Sequence, residues 1–108
     1  MSEGHAKLRS ELRRGALVLA VLALLKEEHY GYSLRKALAN AGIRVEEGTL
    51  YPLIRRLETQ GLLASEWREE NKRNKRFYQL SETGKAALVA LQEDWKTLNT
   101  GLDLLLKT

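Results

Sequence analysis

Residues 47–80 combine a helical pattern with a hairpin pattern and read EGTLYPLIRRLETQGLLASEWREENKRNKRFYQL. In the first part, apolar residues recur at helical spacing and predict a helix over about residues 47–60. Residues 63–68 and 76–80 are rich in aromatic and alternating residues and predict two strands. The charged residues between them predict a hairpin with a basic tip.

The flanking sequence predicts further helices. A helical pattern runs over about residues 7–27 and is apolar nearly all round at its centre, as in a helix buried in a core. A second helix opens at Tyr32 or Ser33, and Gly42 ends it. A short extended piece, residues 43–45, separates it from the helix that starts near residue 47.

The last helix carries the sharpest periodicity. Ser81 is a suitable N-cap for it. Six apolar residues follow at alternating spacings of three and four, which is a heptad seam: Leu88, Leu91, Trp95, Leu98, Leu102 and Leu105. A helix of about 26 residues would be roughly 39 Å long. So long a helix exceeds what this small domain can cover, so the seam predicts a second copy of the chain as its partner.

The order of these elements predicts the fold class. It is mainly α (α+β), a winged helix-turn-helix in which the hairpin is the wing, with a long C-terminal dimerisation helix. Residues 1–80 would form the DNA-binding part with its N-terminal helix, and residues 81–108 the dimerisation helix, within one compact unit.

Composition excludes several classes of protein. The chain has 108 residues, no Cys and two His, so disulfide scaffolds, cysteine nucleophiles and thiolate zinc sites are excluded and no metal or cofactor is expected. No catalytic Ser-His-Asp set, phosphate-binding Gly loop or pair of carboxylates stands out, so we expect no enzyme. The longest apolar run is too short to cross a membrane. We therefore expect a cytoplasmic protein.

The positive charge is unevenly distributed along the chain. Lys and Arg outnumber Asp and Glu by 18 to 14, a net charge of +4. Residues 31–62 and residues 63–80 each carry five basic and three acidic residues, whereas residues 81–108 carry three basic and four acidic ones. The third helix and the wing are therefore the expected polyanion-binding part of the molecule.

Three segments together form a recognisable pattern: the Glu47–Glu58 segment EGTLYPLIRRLE with the following Gly61-Leu62-Leu63 and Trp67, the earlier Tyr30–Leu34 (YGYSL), and Phe77–Gly84 (FYQLSETG). With these segments the chain resembles the PadR family of bacterial transcriptional regulators. A single helix after the wing is similar to the smaller subgroup of the family. The wing tip departs from the Gly-Gly-Arg-Pro-like family pattern, since it reads Lys72-Arg73-Asn74-Lys75.

Nine residues are predicted to contact DNA. Arg55 and Arg56 suit bidentate contacts with phosphate or guanine, although Glu47 and Glu58 are alternative partners for Arg56. Residues near the start of the third helix would enter the groove first, and the basic wing tip would contact phosphates. The set is Ser33, Thr49, Tyr51, Arg55, Arg56, Lys72, Arg73, Lys75 and Arg76. Trp67 is expected to pack in the base of the wing.

The seam has two predicted roles. Its leucines would pack against the first helix and against a partner subunit. The resemblance further implies that Trp95 can face its two-fold mate and stack a planar aromatic compound between the subunits, with Leu8, Leu12 and Asp94 as neighbours.

The predicted function is therefore a homodimeric DNA-binding regulator. It would repress transcription from a palindromic operator on double-stranded DNA, and a small aromatic effector would release it. The alternative is a winged-helix protein-interaction module that does not bind DNA, because fold alone does not settle function.

Overall fold

The computed structural model describes residues 3–107, so the ends of the two predicted units, residues 1–2 and 108, lie outside the described residues. The elements in chain order are α1 (Glu3–Leu24), β1 (His29–Tyr30), α2 (Gly31–Asn40), α3 (Glu47–Thr59), β2 (Leu63–Glu70), β3 (Arg73–Leu80) and α4 (Glu82–Leu106). The predicted winged helix-turn-helix is confirmed. We call α3 the recognition helix and residues 63–80 the wing.

The core lies where α1, α2, α3 and the sheet meet. Val21, Leu22 and Leu25 are fully buried at the end of α1 and its following turn. They belong to one core cluster with side chains of α2, α3 and the sheet, which explains why the centre of α1 is apolar all round. The first half of α1 is exposed.

The helix α1 begins and ends earlier than predicted. It starts at Glu3 rather than Lys7 and ends at Leu24 rather than Glu27. After Leu24 the chain turns at residues 25–28 and enters the strand formed by His29 and Tyr30.

The short strand is not where the sequence analysis placed it. Residues 43–45, predicted as extended, join no sheet, and Ile43 and Val45 instead pack as half-buried side chains against the core. The strand is β1, which pairs antiparallel with β3 through His29↔Tyr78 and Tyr30↔Phe77. Because β2 and β1 take both sides of β3, the order is β1-β3-β2 and no side of β3 is open to residues 43–45.

The wing strands are longer than predicted. The pairing of β2 with β3 runs from Leu63↔Leu80 to Glu70↔Arg73, so most of the expected polar loop is paired strand. Only Asn71 and Lys72 form the turn, and both have positive φ, 53° and 64°. Two left-handed residues are the mark of a type I′ turn, whose twist matches that of the flanking strands.

The start of α4 is fixed on the end of α3. Ser81 is its N-cap as predicted, since its hydroxyl accepts the N–H of Gly84 (3.0 Å) and donates to the carbonyl of Gly61 (2.6 Å). Gly84 lies so close to the backbone that an added Cβ would be 2.0 Å from the Leu62 oxygen. Only Gly84 and Leu88 of α4 are buried, so the rest of this 25-residue helix extends away from the core.

Candidate nucleic-acid interface

The recognition helix buries one face and exposes another. Leu50, Leu53, Ile54 and Leu57 are its buried residues. Thr49, Arg55 and Arg56 are exposed on the other face. Within residues 3–107, neither arginine side chain forms an ion pair or a hydrogen bond. Their guanidinium groups are therefore available to an external anion.

The acidic neighbours considered as partners for Arg56 are bound elsewhere. Glu47 pairs with Arg35 of α2. Glu58 pairs with Arg76 of the wing, Nη2 to Oε1, at 3.0 Å. Both glutamates of the recognition helix are thus paired with arginines of other elements, and Arg55 and Arg56 are left without an ion pair among the described residues.

Tyr51 has a packing role beside its predicted DNA contact. It is half-buried, and a Cβ added to Gly31 would lie 2.8 Å from its Cε1 and 2.9 Å from its hydroxyl. The ring therefore lies directly against the first residue of α2. A larger residue at position 31 would therefore require the Tyr51 ring to move.

Ser33 lies at the same helix start, and its hydroxyl is already hydrogen bonded. It donates to the carbonyl of Tyr30 and accepts the Tyr30 N–H, both at 3.1 Å. Nδ1 of His29 is 2.9 Å from the same oxygen. Ser33 thus closes the first turn of α2, which begins at Gly31, two residues before Ser33.

Of the four cations at the wing tip, two are exposed without a side-chain partner in the described chain and two contact carboxylates. Lys72 and Arg73 are exposed, and neither has a side-chain partner in the described part of the chain. Lys75 is different, because its Nζ lies 3.2 Å from Glu70 Oε1 and 4.4 Å from the ring centroid of Tyr30. Its side chain is only 18% exposed.

Arg76 is the second engaged cation. Besides its pair with Glu58, it donates from Nε to the hydroxyl of Ser65 at 2.9 Å, and that hydroxyl donates to Glu58. The neighbouring Tyr78 is buried, which raises its phenol pKa above the usual value, while the positive charge of Arg76 acts in the opposite direction. Arg76 therefore ties the wing to the recognition helix.

The other face of the wing carries a separate cluster. Arg68 lies 3.9 Å from the ring centroid of Phe77 and pairs with Glu28 and Glu66. The hydrogen bond to Glu28 raises the pKa of the Arg68 guanidinium. This cluster holds the wing against the turn after α1.

Trp67 does not pack in the wing base as expected. Its side chain is 64% exposed, on the strand face that carries Arg76, which stands across from it in the ladder. The prediction that Trp67 packs in the wing base was wrong because the strand continues to Glu70, so Trp67 lies midway along an exposed two-stranded ribbon. The two-residue turn at Asn71 would have revealed this cross-strand pair.

The seam on α4 is divided by the fold. Leu88 is 4% exposed and belongs to the core of its own protomer. The remaining seam residues are exposed by 37 to 73%: Leu91, Trp95, Leu98, Leu102 and Leu105. On α1, Leu8 and Leu12 are also exposed, as is Asp94 beside Trp95.

Comparison with known proteins identifies the family. The model of the transcriptional regulator PadR-like family matches residues 18–90, from the middle of α1 through the wing into α4. The chain belongs to the PadR-like family. Members of this family are transcriptional regulators that bind DNA, not enzymes. The predicted family membership and regulator class are thereby confirmed.

Individual PadR-like relatives agree with this assignment. A transcriptional regulator of Mycobacterium tuberculosis is 42% identical over 79 residues, which cover 72% of this chain and 74% of the relative. A PadR family regulator from Eggerthella lenta is 46% identical with a TM-score of 0.86, covering 95% of this chain and 92% of that one. A PadR-like transcription factor from Bacteroides fragilis is 35% identical with a TM-score of 0.78, covering 92% and 98%.

No helix in the described part of the chain is long and apolar enough to cross a membrane. Among residues 3–107, no group of three or more His, Asp or Glu side chains is placed to hold a metal ion.

Proposed function

We propose that the chain is a dimeric, sequence-specific repressor that inserts α3 into the major groove of an operator. The observation that carries this proposal is the unpaired state of Arg55 and Arg56 within the described chain, side by side on the exposed face of α3. Arginine in such a place can bind guanine or phosphate in bidentate fashion. Lys72 and Arg73 at the wing tip then bind phosphates, which position the protein without reading sequence.

The second subunit is proposed from the exposed seam. Leu91, Trp95, Leu98 and Leu102 follow heptad spacing and are each 37 to 59% exposed. Full burial of an exposed apolar side chain is worth about 1.5–3 kcal/mol, so covering the exposed part of each seam residue contributes a fraction of that, and the heptad pattern is suited to another helix. A second copy of this chain supplies that helix and gives the two-fold symmetry that a palindromic operator requires.

The proposed effector binds between the subunits. Trp95 is 46% exposed, and stacking on its indole suits a planar aromatic compound. Leu8, Leu12 and Asp94 would complete the site, and the ligand would change the spacing of the two recognition helices. Quenching of tryptophan fluorescence by planar compounds tests this, and it should be lost in Trp95→Ala but kept in Trp67→Ala. The reverse pattern would exclude the site.

The DNA-binding proposal is tested by fluorescence anisotropy. Duplexes from the promoter of the chain's own gene are titrated with the wild type, with Arg55→Ala, and with Lys96→Ala as a charge-matched control on α4. Loss of a bidentate base contact costs about 1–3 kcal/mol, so Arg55→Ala should weaken binding by roughly ten-fold or more. Lys96 is a surface residue paired with Glu93, so its removal should have little effect.

The outcomes separate two functions. Affinity that is indifferent to sequence or to Arg55→Ala would contradict base readout. Complete absence of salt-dependent DNA binding would favour the protein-interaction module instead, since phosphate contacts always release counterions.

A further inference from the structure

A shallow groove of about 350 Å³ separates the recognition helix from the wing. We call it the wing groove. Its main lining residues are Tyr32, Tyr51, Arg55, Trp67, Lys75 and Arg76. Three of these are cations, and no Asp or Glu of the described chain lines the groove. The partners of Lys75 and Arg76, which are Glu70 and Glu58, lie outside its lining.

The indole of Trp67 is exposed and yet held in place. The guanidinium carbon of Arg76 lies 5.6 Å from its ring centroid, a cation–π distance. Arg76 is in turn hydrogen bonded to Glu58 on the recognition helix. Trp67 is thereby connected through Arg76 to α3, while its side chain is 64% exposed.

The composition of the wing groove indicates what occupies it. Among the lining cations, Arg55 has no ion pair within the described chain and favours an anion, while aromatic side chains favour a partner with flat or apolar surface. The groove is shallow, so an extended chain fits it better than an enclosed small molecule. Arg55 of α3, which is exposed and has no ion pair within the described chain, is itself part of the lining.

We infer that the wing groove receives the sugar–phosphate backbone of one DNA strand, with Trp67 packed against a deoxyribose. This inference rests on the proposed DNA binding and adds a contact that is not ionic. Phosphate contacts release counterions and give a steep salt dependence. Packing of an indole on a sugar releases none, so Trp67 contributes affinity that salt does not weaken.

The test compares Trp67→Ala, Trp67→Phe and Lys72→Ala with the wild type. Each protein is titrated into a fluorescein-labelled random-sequence duplex of roughly 40 bp, about four helical turns, between about 50 and 200 mM salt. Trp67→Ala should weaken binding roughly ten-fold, the scale of lost aromatic packing on a nucleotide. Its slope of log K against log salt should equal that of the wild type, whereas Lys72→Ala should reduce the slope by about 0.9. Trp67→Phe should restore most of the affinity.

A second measurement does not depend on the folding of the Trp67 variants. In Trp95→Phe, Trp67 is the sole tryptophan. We expect an unlabelled duplex to quench its fluorescence in proportion to binding. Circular dichroism and light scattering on this variant check its fold and oligomeric state.

The results separate a failure of the proposed DNA binding from a failure of the proposed Trp67 contact. If the wild type binds no DNA, the proposed function and the inference both fail. If the wild type binds but Trp67→Ala binds equally well, or Trp67 fluorescence is unchanged in Trp95→Phe, only the inference is overturned. A lower salt slope in Trp67→Ala would also overturn it, because the contact would then be ionic.

Discussion

Arg76 in β3, the central strand of the sheet, donates a 3.0 Å hydrogen bond to Glu58 near the end of the recognition helix. Ser65 of the adjacent strand lies between them and is bonded to both. One guanidinium thus joins the two elements expected to contact DNA. Their relative orientation is fixed by side chains as well as by the short link at residues 60–62.

Replacing Glu58 by Gln should loosen this connection. A hydrogen bond between charged groups contributes about 1.5–3 kcal/mol when buried, and partial exposure of both side chains reduces that to about 1 kcal/mol. Urea unfolding at fixed protein concentration measures the loss. Glu93→Gln, in a surface pair with Lys96, is the control and should change stability by less than about 0.5 kcal/mol. Equal losses in both variants would contradict the role assigned to Glu58.

Gly84→Ala should destabilise the protein strongly. The added Cβ would lie 2.0 Å from the Leu62 carbonyl oxygen, so the backbone must move. Such overpacking costs about 1–3 kcal/mol or more, against a gain of up to about 1 kcal/mol for Ala over Gly in a helix. Thermal unfolding measures the difference. Gly48→Ala is the matched control, since nothing lies within 4 Å of its added Cβ and it should not lower the melting temperature.

Leu98→Glu should separate the proposed dimer. Leu98 lies in the exposed seam, and a carboxylate there would be buried against an apolar partner at a cost of several kcal/mol. Light scattering coupled to size-exclusion chromatography should show the monomer mass of 12.3 kDa. Val89→Glu changes an exposed residue of the same helix outside the seam and should leave the mass unchanged. A dimer that survives Leu98→Glu would exclude the seam as its interface.

Lys72 and Lys75 should differ in their effect on DNA binding although they are three residues apart. Lys72→Ala removes an unpaired cation and should lower the salt slope by about 0.9 for one lost phosphate contact. Lys75→Ala removes a cation that already faces Glu70 and Tyr30, so the slope should change less. Titrations of both variants over the same salt series compare them. A larger change in Lys75→Ala would show that its pair with Glu70 opens on DNA.

The sequence predicted an element correctly where a capping residue or a regular apolar spacing marks it. The Ser81 cap, the apolar stripe of α3 and the heptad spacing of α4 all predicted elements that the structure contains. The prediction was wrong for residues 43–45 and for the length of the wing. A strand needs a partner, and only the fold shows that both sides of β3 are occupied by other strands.

The same division applies to the candidate site. The sequence by itself indicated the family through a resemblance of its motifs, and it predicted the winged helix and the basic character of residues 31–80 because periodicity and charge are local properties. The tertiary structure decided which cations remain available, since Lys75 meets Glu70 across the hairpin turn and Arg76 meets Glu58 of the recognition helix, whereas Arg55 and Lys72 meet no carboxylate in the described chain. It also placed Trp67 on an exposed face of the wing and not packed in the wing base, because side-chain burial depends on which surfaces the packed elements cover, and the residue spacing of one strand does not show this.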